Sequence, residues 1–541
     1  MMKTYTIGID FGTLSGRCVL VDWENGREIA QAVCDYAHGV MDETLPNGKK
    51  LPPLFALQHP TDYLEVVKTT IREVLQKANI APEQVKGVGI DFTACTVLPV
   101  DAEGTPLCMR SEFENEPHAY VKLWKHHAAQ PEADELNALA EKRKEPWLNA
   151  YGGRGSSEWA LPKLLETLRK APEVYAQTAR FMEAADWLVG RLIGKEIHSL
   201  PFAGYKALYH NKAYPSNDFM TALDKKLNGV VGTKLSEKIV DFSAPAGTLC
   251  QEGAELTGLP VGTVVAAPQV DAHAAMPALQ ITGDGELMII MGTSSCHIVN
   301  TKQSKDVLGV CGYVPDGVIP GLVTYEAGQA AVGDIFDWFV KNCVPAAYGE
   351  EAAQKQVNLH TLLTEKAEKL AVGESGLVAL DWFNGNRSVL DDSRLSGMIL
   401  GMTLGTKPEH IYRALLEATA YGTKMILDTL AFPVHTIKVA GGIANNNALL
   451  MQIYADVLNR EIQVCQSTQA GALGSAIYGA VAAGIYPDMD TAAKAMGAPV
   501  AKTYRPDPKN QKAYEKLYAE YVALHDYFGR GGNDVMHRLP L

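Results

Sequence analysis

Two short stretches of this chain carry the residue types that grip phosphate. Gly12-Thr13-Leu14-Ser15-Gly16 and Gly292-Thr293-Ser294-Ser295 both run glycine, threonine, then serine, and their leading glycines stand 280 positions apart. Glycine lets a bound group come close to the main chain, while the adjoining amides and hydroxyls donate to phosphate oxygens. Either stretch alone reads first as a plain hairpin turn. The duplication points instead to two tips facing one another across a cleft. A further glycine pair, Gly441-Gly442, followed by Asn445, Asn446 and Asn447, has the chemistry of a turn that opens a helix.

The flanking residues must position these tips. Residues 5–9 and 17–21 are β-rich and bracket the first tip; residues 286–291 and 296–300 bracket the second, so both predict strand, tip, strand. Residues 436–440 predict a buried strand running into the Gly441-Gly442 turn, and residues 448–458 a helix of apolar 3.6-residue spacing. The corresponding stretch of the first half is VKGVGIDFTACTVLPVD, residues 85–101. In AGALGSAIYGAVAAG, residues 470–484, Gly471, Gly474, Ser475 and Gly479 fall about one helical turn apart, which leaves one side of that helix nearly bare. A neighbouring strand, or a nucleotide over the helix start, would fill it. Residues 510–528 place Tyr514, Leu517, Tyr518, Tyr521 and Phe528 at helical spacing, an amphipathic closing helix that covers a core edge or contributes to a homodimer.

A chain of 541 residues exceeds what one core organises and predicts two domains. With 47% hydrophobic and 21% charged residues it is a folding, globular composition. The 62 acidic against 49 basic residues give a net charge of -13, which repels phosphate backbones and anionic lipid and excludes nucleic acid as a partner. The start MMKTYTIGID has no apolar signal core, and no run nears the roughly 20 apolar residues of a membrane helix. No membrane partner and a cytoplasmic location are expected. The nine cysteines, at 18, 34, 95, 108, 250, 296, 311, 343 and 465, show no CxxC spacing and are expected as reduced thiols. The GxxxxGK[ST] loop, a helix-opening GxGxxG and the GxSxG elbow are all missing, so any use of ATP runs through another geometry. His118, His126 and His127 have no cysteine or acidic partner at ligand spacing and predict a structural or substrate-side helix. Trp124, Trp147 and Trp159 predict core or domain packing.

Taken together, GIDFGTLSGR, MGTSSCHI and VAGGIANNNALLMQIYADVLNREIQV resemble the nucleotide-binding elements of the FGGY carbohydrate kinases, within the actin and Hsp70-like ATPase superfamily, and the likeness runs from about residue 5 to about 484. DFTACTVLPVD, PHAYVKLWKHHAAQ, RGSSEWALPK and TYEAGQAAVGDIFDWFV are similar to the members of that family that phosphorylate L-ribulose. The resemblance implies an α/β fold of two actin-like (ribonuclease H-like) domains, each a mixed sheet flanked by helices, with ATP and sugar meeting between them. The expected division is 1–284 for the sugar and the first tip, 285–490 for the nucleotide, and 491–541 as a helical extension. The expected reaction moves the γ-phosphate of ATP to the 5-hydroxyl of L-ribulose, in arabinose breakdown. The rivals are another sugar or polyol kinase of the family, such as one for xylulose or glycerol, a non-kinase actin/Hsp70-like ATPase, and a sugar sensor.

That reaction needs a positioned hydroxyl, a carboxylate for its proton, a divalent ion and donors around the phosphate. The resemblance assigns the carboxylate to Asp271, in AAPQVDAHAAMPAL, where an aspartate would otherwise read as a helix N-cap. It assigns Mg2+ to Asp10, directly or through water. Gly12, Thr13, Ser15 and Arg17 are expected at the phosphates from one side, and Gly292, Thr293, Gly441, Gly442 and Asn445 at the nucleotide from the other. For the sugar it points to Ala94, Lys206 and Glu326, together with Asp271. Lysine and glutamate exchange hydrogen bonds with hydroxyls, and a small alanine leaves room for a carbon chain.

Overall fold

The computed structural model describes residues 3–242, 244–466 and 469–539. Its two seven-stranded sheets are built to one plan. In the first, Tyr5–Phe11, Ser15–Asp22 and Arg27–Asp35 run antiparallel, the helix Pro60–Ala78 crosses over, and Val85–Phe92 returns parallel beside Tyr5–Phe11. In the second, Glu286–Met291, Ser295–Thr301 and Val323–Gln329 run antiparallel, and Thr436–Ala440 returns parallel beside Glu286–Met291 after the helix Pro408–Leu430. This is the two-domain actin-like arrangement, and each tip expected at the phosphates is the turn of its sheet's first hairpin.

The first sheet is buried on both faces, so its strands read as continuous apolar runs rather than alternating ones. One face carries Pro60–Ala78; the other carries the helix Ala470–Ala482, contributed by the second half of the chain. The approach is close enough to demand glycine. A methyl on Gly8 would lie 1.8 Å from the carbonyl oxygen of Ala472, and one on Gly89 1.8 Å from that of Ser475. The bare side of this helix is therefore filled mainly by strands. Gly474 meets a second helix, Asp271–Ala278: a methyl there would lie 1.7 Å from the oxygen of Ala274. That helix sends Ala275, Met276 and Ala278 into a cluster with Met288, Ile298 and Ala440 of the second sheet. The helix that closes each half thus lies between the halves, and one of them begins with Asp271.

The segment expected as a helical extension also supplies a strand. Val500–Tyr504 pairs antiparallel with Ile462–Cys465 as the edge of the second sheet. Its side chains are almost all exposed, so it lacks the apolar alternation that marks a strand in sequence. The helix Pro508–Gly529 then closes over a core edge, where Tyr514 accepts from Arg413 at 2.9 Å and Tyr521 donates to Asp381 at 2.8 Å. Among the described residues no helix is long and apolar enough to cross a membrane.

Candidate active site

The first tip closes on itself and is tied to its own domain. The Gly12 amide donates to the Ser15 carbonyl at 3.0 Å. The Trp124 indole donates to Thr13 Oγ1 at 3.2 Å, and the Gln58 amide to the Thr13 carbonyl at 2.7 Å. Trp124 therefore does more than pack: it occupies one lone pair of the Thr13 hydroxyl and leaves that hydrogen to donate elsewhere. Ser15 is half-buried beside the tip, and Arg17, on the next strand, is exposed with its guanidinium 4.0 Å from Asp10.

The second tip is held from behind by a helix start. Thr293 O accepts from the amides of Val332 at 2.7 Å and Asp334 at 3.2 Å, and Gly292 O from that of Gly333 at 3.1 Å, where the helix Gly333–Asn342 begins. Gly292 and Thr293 stay exposed. Gly441, at φ 118°, turns so close behind them that a side chain would meet Met291 O at 2.1 Å; Gly442 opens the short helix Gly442–Asn446. Asn445 donates back to Gly441 O at 3.1 Å, which fixes the turn. These elements gather around one exposed set of backbone groups.

Three carboxylates stand at the end of the first sheet, beside the first tip. Asp10 is the last residue but one of the first strand, and Asp91 stands beside it in register on Val85–Phe92. Asp91 is fully buried, accepts from Ser475 Oγ at 2.6 Å, and leaves Oδ1 without a hydrogen-bond partner. Burial first, then the charge of Asp10, push its pKa well above the ordinary range. Asp10 is also raised, by burial, against the pull of Asp91 and Arg17. Asp91 is absent from the expected site although its signal is in the sequence: Gly-Ile-Asp-Phe occurs at 8–11 and again at 89–92.

Asp271 is the first residue of its helix rather than the cap, and its Oδ1 accepts from the Ala272 amide at 2.7 Å. It remains partly exposed. Burial, Asp10 and Glu326 push its pKa up to about 7, against the Ala272 amide and Lys206. It thus lies within electrostatic reach of the magnesium candidate on one side and the expected sugar residues on the other.

Those residues come together across the halves. Lys206 closes the helix Leu200–Lys206 and places Nζ 3.1 Å from both oxygens of Glu326 on Val323–Gln329. His273 Nε2 approaches the same carboxylate at 3.3 Å. Against the effect of burial, Lys206 and His273 hold Glu326 far below the usual carboxylate range, and Glu326 holds Lys206 above the usual lysine range. Ala94, partly exposed, follows Thr93, whose amide donates to Phe11 O at 3.1 Å beside the first tip. The histidines expected on a structural or substrate-side helix lie elsewhere and share no α-helix: His118 sits in the single turn Pro117–Ala119, His126 and His127 follow in irregular chain, and His126 and Lys122 meet Glu166 at 3.0 and 2.6 Å in a buried cluster. Among the described residues no group of three or more His, Cys, Asp or Glu side chains is placed to hold a metal ion.

Residues 5–277 match the N-terminal domain of the FGGY family of carbohydrate kinases, and residues 287–483 its C-terminal domain. The chain is 53% identical to a ribulokinase of Halalkalibacterium halodurans over 100% of its own length and 97% of that protein, and 52% identical to a ribulokinase of Bacillus licheniformis, with 97% of each covered. Among solved structures it shares its fold with a xylulose kinase from Rhodospirillum rubrum, at TM-score 0.79 and 23% identity over 96% of this chain and 98% of that one. A gluconate kinase from Lactobacillus acidophilus superposes at TM-score 0.81 and 17% identity, over 98% and 99%. The chain belongs to the FGGY family of carbohydrate kinases and is an ATP-dependent sugar kinase.

Proposed function

We propose that the chain is a ribulokinase, transferring the γ-phosphate of ATP to the 5-hydroxyl of L-ribulose. The observation that carries the mechanism is the position of Asp271, a half-exposed carboxylate near neutrality between the Asp10 end of the cleft and the Lys206–Glu326 pair. The sugar's identity rests on the full-length likeness to proteins named ribulokinase.

Lys206 and Glu326 neutralise one another and offer their remaining hydrogen-bonding capacity to sugar hydroxyls, while Ala94 leaves space for the carbon chain. The hydroxyls of Thr13, Ser15 and Thr293 donate to the phosphates, Gly12 and Gly292, whose own amides close their turns, let the phosphates come close to the main chain, and the Gly441-Gly442 turn with Asn445 shapes the nucleotide side. Asp271 takes the hydroxyl proton as the sugar oxygen bonds to the γ-phosphorus, and ADP leaves with the electron pair of the broken bond. The residues suit Mg2+: Asp10 raises the pKa of both Asp91 and Asp271, so negative charge is crowded there, and magnesium needs only one or two carboxylates beside substrate phosphates and water. When bound, the ion neutralises phosphate charge, with Asp10 as its protein ligand. Because all nine cysteines are free, the thiols suit a reducing, cytoplasmic setting.

The test is ADP release in a coupled assay with Mg2+ and ATP, across L-ribulose, D-ribulose, the xylulose isomers, L-arabinose and glycerol. Turnover with L-ribulose well above L-arabinose and glycerol is expected. Faster turnover with xylulose or glycerol, or none that depends on sugar, overturns the assignment.

A further inference from the structure

The cleft contains a cation that no role above uses. Arg387 lies on the irregular segment between Val378–Leu380 and Met398–Leu400. That segment is pinned to the second sheet: Ser388 Oγ accepts from the Gly328 amide at 3.2 Å and lies 3.9 Å from Cys311 Sγ, and the Cys311 amide donates to Glu326 O at 2.8 Å. Gly328 stands two residues beyond Glu326 on one strand, so the two share a face. It pairs with Cys296, just past the Gly292-Thr293-Ser294-Ser295 tip. Arg387 Cδ and Nη1 lie 3.6 and 3.8 Å from where a Cβ on Gly328 would be, so the guanidinium sits over that face, between Glu326 and the phosphate tip.

Its charge is uncommitted. Arg387 is exposed, and among the described residues it makes no hydrogen bond and no ion pair. Lys206 is committed to Glu326, and Arg17 approaches Asp10. The protein packed around it works against the Arg387 charge, yet Cys311, Glu158, Cys296 and Glu326 raise its pKa. Glu158 belongs to the first half of the chain and Glu326 to the second, so the guanidinium faces both walls. A planar fork of donors standing free, between a hydroxyl-binding carboxylate and a phosphate tip, matches a phosphoryl group passing between them.

We propose that Arg387 binds the phosphoryl group in transfer, engaging the γ-phosphate oxygens as the group leaves ADP and then the phosphate ester of the product. The bond from the γ-phosphorus to the β,γ-bridging oxygen breaks with its electron pair going to ADP, the bond from the sugar oxygen forms, and the proton goes to Asp271. Arg387 stays protonated throughout. The proposal rests on the sugar-kinase reading and deepens it.

The test compares wild type, Arg387→Ala and Arg387→Lys as full chains, reading kcat and KM by ADP release and the affinities of L-ribulose and L-ribulose 5-phosphate by calorimetry. Arg387→Ala should lower kcat about 100-fold, since an arginine on transferring phosphoryl is worth at least that. Sugar KM and L-ribulose affinity should stay within about threefold, while sugar-phosphate affinity falls about tenfold; Arg387→Lys, which keeps the charge but not the fork, should recover part of both losses. Three results overturn the proposal: kcat within about threefold of wild type, a fall in kcat with sugar-phosphate affinity intact, or equal loss of affinity for the sugar and its phosphate. If Arg387→Ala fails to fold, Arg387→Lys carries the same comparison. A wild type that ignores L-ribulose sinks the substrate assignment instead, and the Arg387 test is then read with the sugar that is turned over and its phosphate.

Discussion

Asp10 and Asp91 are the third residues of two identical Gly-Ile-Asp-Phe tetrapeptides that lie side by side as parallel strands, paired residue for residue. Each residue of the repeat has its own task. The glycines admit the helix Ala470–Ala482, Phe11 and Phe92 stack at 4.4 Å, and the two aspartates face the cleft end of the sheet with Ser475 of that helix bonded to Asp91. Two carboxylates in one low-dielectric place cannot both ionise. Burial and the charge of Asp10 raise Asp91 well above the ordinary carboxylate range, whereas Asp91 and Arg17 work against the rise that burial imposes on Asp10, so of the two Asp91 holds a proton more tightly.

An uncharged amide should therefore replace Asp91 with little harm. In Asp91→Asn the new carbonyl still accepts from Ser475, and kcat is expected within about threefold of wild type. Asp91→Ala strands the Ser475 hydroxyl and opens a void, for a loss of about 2–3 kcal/mol in urea unfolding. A folded Asp91→Asn chain without turnover would mean that Asp91 works ionised.

The Asp271 carboxyl, pushed up to about 7, sets opposite pH trends for activity and stability. A base must be ionised, so kcat/KM for the sugar should fall about tenfold per unit below about pH 7 and level off above it. Stability runs the other way. The folded pKa exceeds the unfolded value of about 3.9, so the folded chain binds this proton more tightly and loses stability as pH rises from about 4 to about 7. Asp271→Asn should lose at least about 100-fold in kcat, melt above wild type at pH 8, and converge with it near pH 4. A pH-independent melting difference would refute the assigned titration.

The parts of this site that were legible in sequence are those made by neighbours along the chain. Both tips announce themselves because glycine, threonine and serine make turns locally, and the Gly441-Gly442 turn does so for the same reason. The stripe of Gly471, Gly474, Ser475 and Gly479 signalled a close neighbour but not which one. Its complement is Gly87 and Gly89, alternate residues of one strand, and a match between a helix stripe and a strand about 390 residues away becomes evident only in three dimensions. Lys206 and Glu326 are 120 positions apart on opposite walls, so neither flank predicts their pairing. Arg387 sits in irregular chain, which carries no periodicity to read.

The crossing of the two closing helices makes a sharp packing prediction. A methyl on Gly474 would meet backbone, the Ala274 oxygen at 1.7 Å, and cannot be relieved by a side-chain rotation. Gly474→Ala should destabilise by about 3 kcal/mol or more and, by displacing the helix that begins at Asp271, lower kcat more than it changes the KM for ATP. Gly349, inside the helix Ala346–Gln354, is the control, because a methyl added there would have no neighbouring atom within 4 Å. There the same substitution should stabilise by about 0.5–1 kcal/mol through helix propensity. Equal effects at the two sites would contradict the packing.

The Lys206–Glu326 pair separates stability from recognition. Both side chains are largely buried, so removing one partner leaves a charge uncompensated. Lys206→Met should therefore cost about 3–5 kcal/mol, and Glu326→Gln less, because the amide oxygen still accepts from the ammonium. Replacing both, as Lys206→Met with Glu326→Leu, removes the stranded charge and should restore much of the stability, although His273 loses its neighbour at 3.3 Å. Sugar binding should follow a different order. If hydroxyls are held by the remaining donors and acceptors of the pair, the apolar double variant binds sugar at least about 100-fold more weakly than wild type while its KM for ATP stays within about threefold. Measured by urea unfolding and by steady-state kinetics, a stable double variant with wild-type sugar KM would reduce the pair to an interdomain clasp and move sugar recognition to other residues.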